Sequence, residues 1–132
     1  MTDTIADKLE IIDLMSRYCY AVDFGDLPSL KEVFTDDVEA LYVLEPLGLG
    51  LDDVPLSGVD AVIAWLDSVL PGLGQHAPRH AMTNHLVELD GDVARSRSYL
   101  AAGNGLYTVG HVRTPHGWRA KTWEMRNFPP RS

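Results

Sequence analysis

The order of hydrophobic periodicities along this 132-residue chain predicts an α+β fold. Apolar residues recur at three- and four-residue steps in the opening segment and again after residue 58, whereas the last third alternates in short runs between turn residues. Helices gathered at one end and strands at the other argue for helices packed on one face of a curved antiparallel sheet.

The first element is a long amphipathic helix. Thr4 with Asp7 resembles a capping box, Ile5, Leu9, Ile12, Met15, Cys19 and Val22 form the apolar stripe, and Gly25 ends it. Asp26 reads as the N-cap of a second, short helix whose first turn tolerates Pro28. Residues 38–44 alternate as a strand, Val38, Ala40 and Tyr42 on one face. Residues 45–55 mix prolines, glycines and acids with leucines and read as a loop. Ser57 and Asp60 mark a third helix start, with Val59, Val62, Ile63, Leu66, Val69 and Leu70 as its buried stripe and Pro71-Gly72 as its close. Four strand-like segments follow, over residues 79–89, 93–102, 106–114 and 118–128. Asp90-Gly91 and Pro115-His116-Gly117 are the turn signals between them.

Composition excludes more than it names. An apolar fraction of 45% and a charged fraction of 23% suit one ordinary globular domain spanning residues 1–132, and exclude disordered or low-complexity classes. Eleven basic residues against 19 acidic ones, net −8, argue against nucleic acid as a partner, because no basic run is present to meet phosphates. A membrane is not expected either, since Asp60 and Asp67 interrupt the most apolar stretch. The acidic N-terminus lacks the charge of a signal peptide, and Cys19 is the only cysteine, so a reducing cytoplasm is the expected location.

Candidate chemistry centres on Asp23 and a histidine-bearing strand. A carboxylate near the C-terminal end of a helix opposes the helix dipole, so helix stability does not account for Asp23. Strict alternation from residue 80 puts His80, Met82, Asn84, Leu86 and Glu88 on one face and His85, Val87 and Leu89 on the other, so His80 and His85 cannot act together. That also argues against a shared metal, and Pro78 disfavours a metal pair of His76 and His80. A two-residue loop at Asp90-Gly91 would put Arg95, Arg97 and Tyr99 on the face of His80. A three-residue loop, the preferred reading, puts Ala94, Ser96, Ser98 and Leu100 there. Asn84 could hydrogen-bond a substrate oxygen, and Tyr18, Tyr20, Tyr42, Trp65, Met82 and Trp123 could wall an aromatic substrate, although such residues more often pack cores. Cys19 reads as inert packing. His85, His111 and His116 read as surface, interface or turn residues.

Several segments together resemble SnoaL-like proteins of the nuclear-transport-factor-2-like superfamily. They are Arg17-Tyr18-Cys19-Tyr20-Ala21-Val22-Asp23-Phe24-Gly25-Asp26, Gly58-Val59-Asp60-Ala61-Val62, Arg79-His80-Ala81-Met82-Thr83-Asn84, Leu89-Asp90-Gly91-Asp92-Val93-Ala94 and Gly117-Trp118-Arg119. The resemblance implies a cone-shaped α+β barrel: a bent sheet around the long N-terminal helix, with two further helices and an enclosed pocket. In the dehydratase and dehydrochlorinase branch, an Asp ending the first helix pairs with a His opening the strand after the third. Asp23 and His80 match those positions, which implies His80 as general base, Asp23 as its orienter, and no metal or organic cofactor. The implied activity is a lyase or isomerase, of dehydratase or cyclase type, on a small apolar, polyketide-like or aromatic molecule. Its alternative is a non-catalytic binding or assembly module of the same fold.

Two departures narrow the substrate. Val22 stands where scytalone dehydratase has a tyrosine, and only Ala102-Gly103 falls where that enzyme has a second histidine, which disfavours scytalone. The Asp-Arg-Asp set of the epoxide hydrolases has no match, and ketosteroid isomerases place their base elsewhere. A sheet face carrying Trp118 or Trp123, Tyr99 and valines would need covering, so a homo-oligomer, dimer or trimer, is expected.

Overall fold

The computed structural model describes residues 3–44, 52–74, 76–101 and 104–128. Residues 45–51 of the expected loop, and Ala102 and Gly103, lie outside the described residues. Among the described residues two α-helices, α1 (Thr4–Phe24) and α2 (Val59–Val69), accompany six strands: β1 (Phe34–Val43), β2 (Val54–Ser57), β3 (Met82–Asp90), β4 (Val93–Leu100), β5 (Gly105–Thr114) and β6 (Gly117–Asn127). Short 3-10 helices span Leu27–Glu32 and Leu70–Leu73. The strands form one sheet in the order β2-β1-β6-β5-β4-β3. Every neighbouring pair is antiparallel except β1 and β6, which run parallel because the β3–β6 meander returns alongside the first strand. Helix α1 packs on the inner face against β3 and β6, and no helix among the described residues is long and apolar enough to cross a membrane.

Asp3, rather than Thr4, caps α1: its Oδ1 accepts from the backbone N–H groups of Ile5 and Ala6 at 3.0 and 3.2 Å. The helix closes at Gly25, whose φ of 73° is the left-handed conformation that glycine adopts without a Cβ clash. The buried stripe also differs from the expected one. Ile11, Leu14, Met15, Tyr18, Cys19 and Val22 are buried, while Ile5 and Leu9 are exposed. Asp7 occupies the inward row because its carboxylate is fully engaged there. Arg113 donates to both of its oxygens at 3.0 Å, and the Trp118 indole N–H donates to Oδ1 at 3.0 Å. Those two donors hold the Asp7 carboxyl below the usual carboxylate range.

At α2 the expected Ser57 cap is replaced by Gly58 at φ 89°, while the Ser57 hydroxyl donates to Glu39 Oε2 at 2.8 Å. Pro55 lies within β2, an edge strand, where its missing N–H leaves no ladder bond unmade.

The β3–β4 hairpin departs from both loop readings. Asp90 pairs with Val93, so the loop is the two residues Gly91 and Asp92. Strict continuation of that register would turn Ala94, Ser96 and Ser98 away from Met82. A bulge prevents this: the ladder shifts between Thr83 and Leu86, and Asn84 adopts φ 57°. Ala94, Ser96 and Ser98 therefore stay buried and Arg95 and Arg97 stay outside, as expected, although the loop is one residue shorter. Asparagine tolerates the left-handed region and a β-branched residue does not, so Asn84→Val should cost about 1–2 kcal/mol in urea denaturation, whereas Asn84→Gly should stay near wild type. Equal losses for both would show that the side chain, not the backbone angle, matters at this position.

A second register shift, between Gly110 and His111, leaves Lys121 as the extra residue of β6. It turns both Trp118 and Trp123 into the core, where each is at most 1% exposed, so neither lies on an open sheet face as expected. His111 is likewise fully buried and not a surface residue, sharing a hydrogen bond of 2.8 Å with the Ser96 hydroxyl.

Candidate active site

The C-terminal turn of α1 and the segment leading into β3 converge on one contact. His80 Nδ1 lies 2.6 Å from Asp23 Oδ1, and the His80 backbone N–H donates to Asp23 Oδ2 at 2.8 Å. Arg79 Nη1 donates to the Asp23 carbonyl at 3.2 Å, tying the same two segments together. Both carboxylate oxygens of Asp23 are thus directed at one residue. A carboxylate only accepts, so the ring nitrogen facing it, Nδ1, is the donor, and a neutral ring then keeps its lone pair on Nε2. The side chains are 12% and 20% exposed, so the pair is sheltered yet open to a small molecule.

His80 and Asp23 line a cleft of about 420 Å³. Its far wall is the turn after α2, through Leu70, Pro71, Leu73 and Gly74, and its rim carries Asp67 and Arg79. Sequence reasoning missed this wall and Arg79. The only available signal was adjacency, since Pro78 and Arg79 lead directly into His80.

The remaining candidates separate into groups. Tyr18 and Tyr42 are buried with their hydroxyls 2.8 Å apart, and Trp65 packs on Tyr42 with ring centroids 4.5 Å apart. The Tyr18 ring meets the edge of the His80 ring at 6.3 Å between centroids. Met82 is half-buried against the same core. Of these four only Tyr18 meets the dyad, and none of them is a wall of the 420 Å³ cleft. Burial raises the Tyr42 phenol to about 12 and lifts Tyr18 well above its ordinary value, so both hydroxyls keep their protons at neutral pH.

Tyr20 does not belong to the site. It is 67% exposed and stacks on Phe24 on the solvent side of α1. Asn84 does not share a face with His80 either, because it is the exposed residue of the β3 bulge. The bulge instead turns His85 inward, where its Nδ1 lies 2.7 Å from the Ser98 hydroxyl. Cys19 is buried, and burial together with the nearby Asp23 charge pushes its thiol up to about 11, far from a reactive thiolate. Among the described residues, no group of three or more His, Cys, Asp or Glu side chains is placed to hold a metal ion.

Comparison with known proteins agrees with this architecture. A SnoaL-like domain matches residues 3–124. An uncharacterized protein of Mycobacterium tuberculosis is 34% identical over 87% of this chain and 81% of its own length. Among solved structures, an NTF2-like protein with a cystatin-like fold from Novosphingobium aromaticivorans superposes with a TM-score of 0.78 at 23% identity, covering 98% of this chain and 86% of that one. LinA gives a TM-score of 0.73 at 20% identity with 97% of each chain covered, a likeness of fold. The long helix cupped by a six-stranded sheet is the fold of these structures, and the domain match over residues 3–124 gives the assignment: this chain belongs to the SnoaL-like family.

Proposed function

We propose that the chain is a cofactor-independent lyase or isomerase in which His80 removes a proton from carbon and Asp23 orients it. The observation that carries this reading is the 2.6 Å contact between Asp23 and His80 Nδ1, placed at the wall of a cleft large enough for a small molecule. In the proposed step, His80 Nε2 takes a proton from a carbon next to an electron-withdrawing group. The C–H electron pair becomes a new double bond as a leaving group departs, or an enolate that is reprotonated at another carbon. Asp23 stabilises the imidazolium so formed and prevents the ring from turning. The mixed lining of the cleft, leucines and prolines with Arg79 and Asp67 at the rim, suits a small, largely apolar substrate with a polar end.

The tautomer provides a test that needs no substrate. In neutral His80, long-range ¹⁵N–¹H NMR should show the proton on Nδ1, and Asp23→Asn should shift it toward Nε2. An Nε2–H tautomer in the wild type would remove the base from the proposal. Turnover is read by incubating the protein in D₂O with enolisable aryl and polyketide-like ketones. Deuterium wash-in at the α-carbon that disappears in His80→Ala supports catalysis, whereas binding without exchange would favour a ligand-binding module.

A further inference from the structure

We infer that Arg79 is the anion-binding residue of the dyad cleft and that the molecule taken there carries a carboxylate. The assignment rests on that cleft being the active site, and it names the polar end of the substrate. Arg79 lines the cleft together with Asp23 and His80. Among the described lining residues it is the one permanent cation, because a guanidinium keeps its proton at any working pH and a histidine does not.

The guanidinium is held in place but not neutralised. Nη1 donates to the Asp23 carbonyl at 3.2 Å, which fixes the head group against the C-terminal end of α1. The Asp23 carboxylate is already committed, since Oδ1 faces His80 Nδ1 and Oδ2 accepts from the His80 backbone N–H. Asp67, the other acid of the cleft, forms no ion pair with Arg79. Among the described residues, Nε and Nη2 of Arg79 therefore have no hydrogen-bond partner. Those two nitrogens form one edge of the guanidinium plane, the edge that grips both oxygens of a carboxylate side-on. Arg79 is an exposed residue, so this edge is accessible to a ligand. A tie between α1 and the segment before β3 needs one donor, and Arg79 brings a planar fork and a charge beyond that need.

The lining decides the rest of the ligand. Leu27, Leu70, Pro71 and Leu73 offer an apolar wall to its body, and Asp67 on the rim repels further negative charge. A monoanion with a compact apolar body fits this arrangement, whereas the higher charge of a phosphate would be opposed by Asp67. The chain carries a net charge of −8, and charges beyond a Debye length of about 8 Å are largely screened, so a preference for an anion has to come from Arg79 itself. Arg79 and His80 are consecutive and share the cleft, which brings a carboxylate on the first and a carbon facing the second within the span of one small molecule. The carboxylate is a handle: it forms and breaks no bond while His80 takes the proton.

Titration calorimetry with β-naphthylacetate and its uncharged counterpart β-naphthylacetamide tests the assignment without turnover. The wild type should bind the carboxylate about tenfold or more tightly than the amide, Arg79→Gln should bind the two alike, and Arg79→Lys should keep part of the preference. The His80 tautomer found in the wild type by ¹⁵N NMR should be unchanged in Arg79→Gln, because the substitution leaves the dyad in place. Equal binding of the two probes by the wild type, a preference that survives in Arg79→Gln, or a tautomer displaced by that substitution would each overturn the carboxylate site. A wild type that prefers the carboxylate through Arg79 yet exchanges no deuterium in D₂O upholds the site and counts against His80 as a base, so the two readings fail separately.

Discussion

Replacing His80 with alanine is expected to lower turnover on the true substrate by about 10³-fold with little change in the melting temperature. The side chain is partly exposed and its loss leaves only Asp23 without a ring partner, still held by the backbone N–H of residue 80. Asp23→Asn should cost about 10²-fold or more by a different route. The amide can present N–H to Nδ1, which drives the ring proton to Nε2 and removes the lone pair that takes the substrate proton. The two losses should not add, because both disable the same proton transfer. Added imidazole separates chemistry from packing: it should restore part of the activity of His80→Ala and none of that of Asp23→Asn. A His80→Ala protein with wild-type turnover would sink the base assignment, and an Asp23→Asn protein with wild-type turnover would reduce Asp23 to a structural tie.

How much of this was legible in the chain can be judged residue by residue. Asp23 and His80 were legible because the end of a helix and the entry to a strand are marked locally, by Gly25 and by Pro78-Arg79-His80. Their contact spans 57 positions, and only the family resemblance linked them. Faces of strands were less legible wherever a ladder shifts. Met82 and His85 are three apart, and Trp118 and Trp123 five apart, yet each pair turns inward, because one extra residue reverses the alternation between them. The inward rotation of the first turns of α1 was hidden for another reason. An acid such as Asp7 is assigned to solvent by any hydrophobicity pattern, and its two partners, Arg113 and Trp118, lie more than 100 positions away. Tyr20 was misplaced by the same limit: an aromatic beside the apolar stripe looks inward until the stripe's angle is known.

His111 leads to the second large effect, which is on stability and not on turnover. It sits 1% exposed between β4 and β6, with Ser96 bonded to Nε2 and no partner for Nδ1 among the described residues. The neutral ring fits this site if Nε2–H donates to the Ser96 hydroxyl, since an unmet acceptor at Nδ1 costs less than an unmet donor. Protonation would bury both a charge and an unsatisfied N–H. Burial accordingly pushes this imidazole down to about 4 from its ordinary 6.5. The unfolded chain binds the proton first as pH falls, so the folded state loses stability between pH 6.5 and about 4 and has the full contribution above 6.5. A separation of this size corresponds to about 3 kcal/mol. His85, also lowered by burial, acts in the same direction. His111→Gln keeps a donor for Ser96 but cannot titrate, so urea midpoints of the variant should fall less steeply over that pH range than those of the wild type. The carboxylates, including the Arg113-bound Asp7, contribute equally to both proteins and cancel in the comparison. Parallel pH profiles would mean that His111 finds a partner for its second proton, and that the buried ring is not the acid-sensitive point of the sheet.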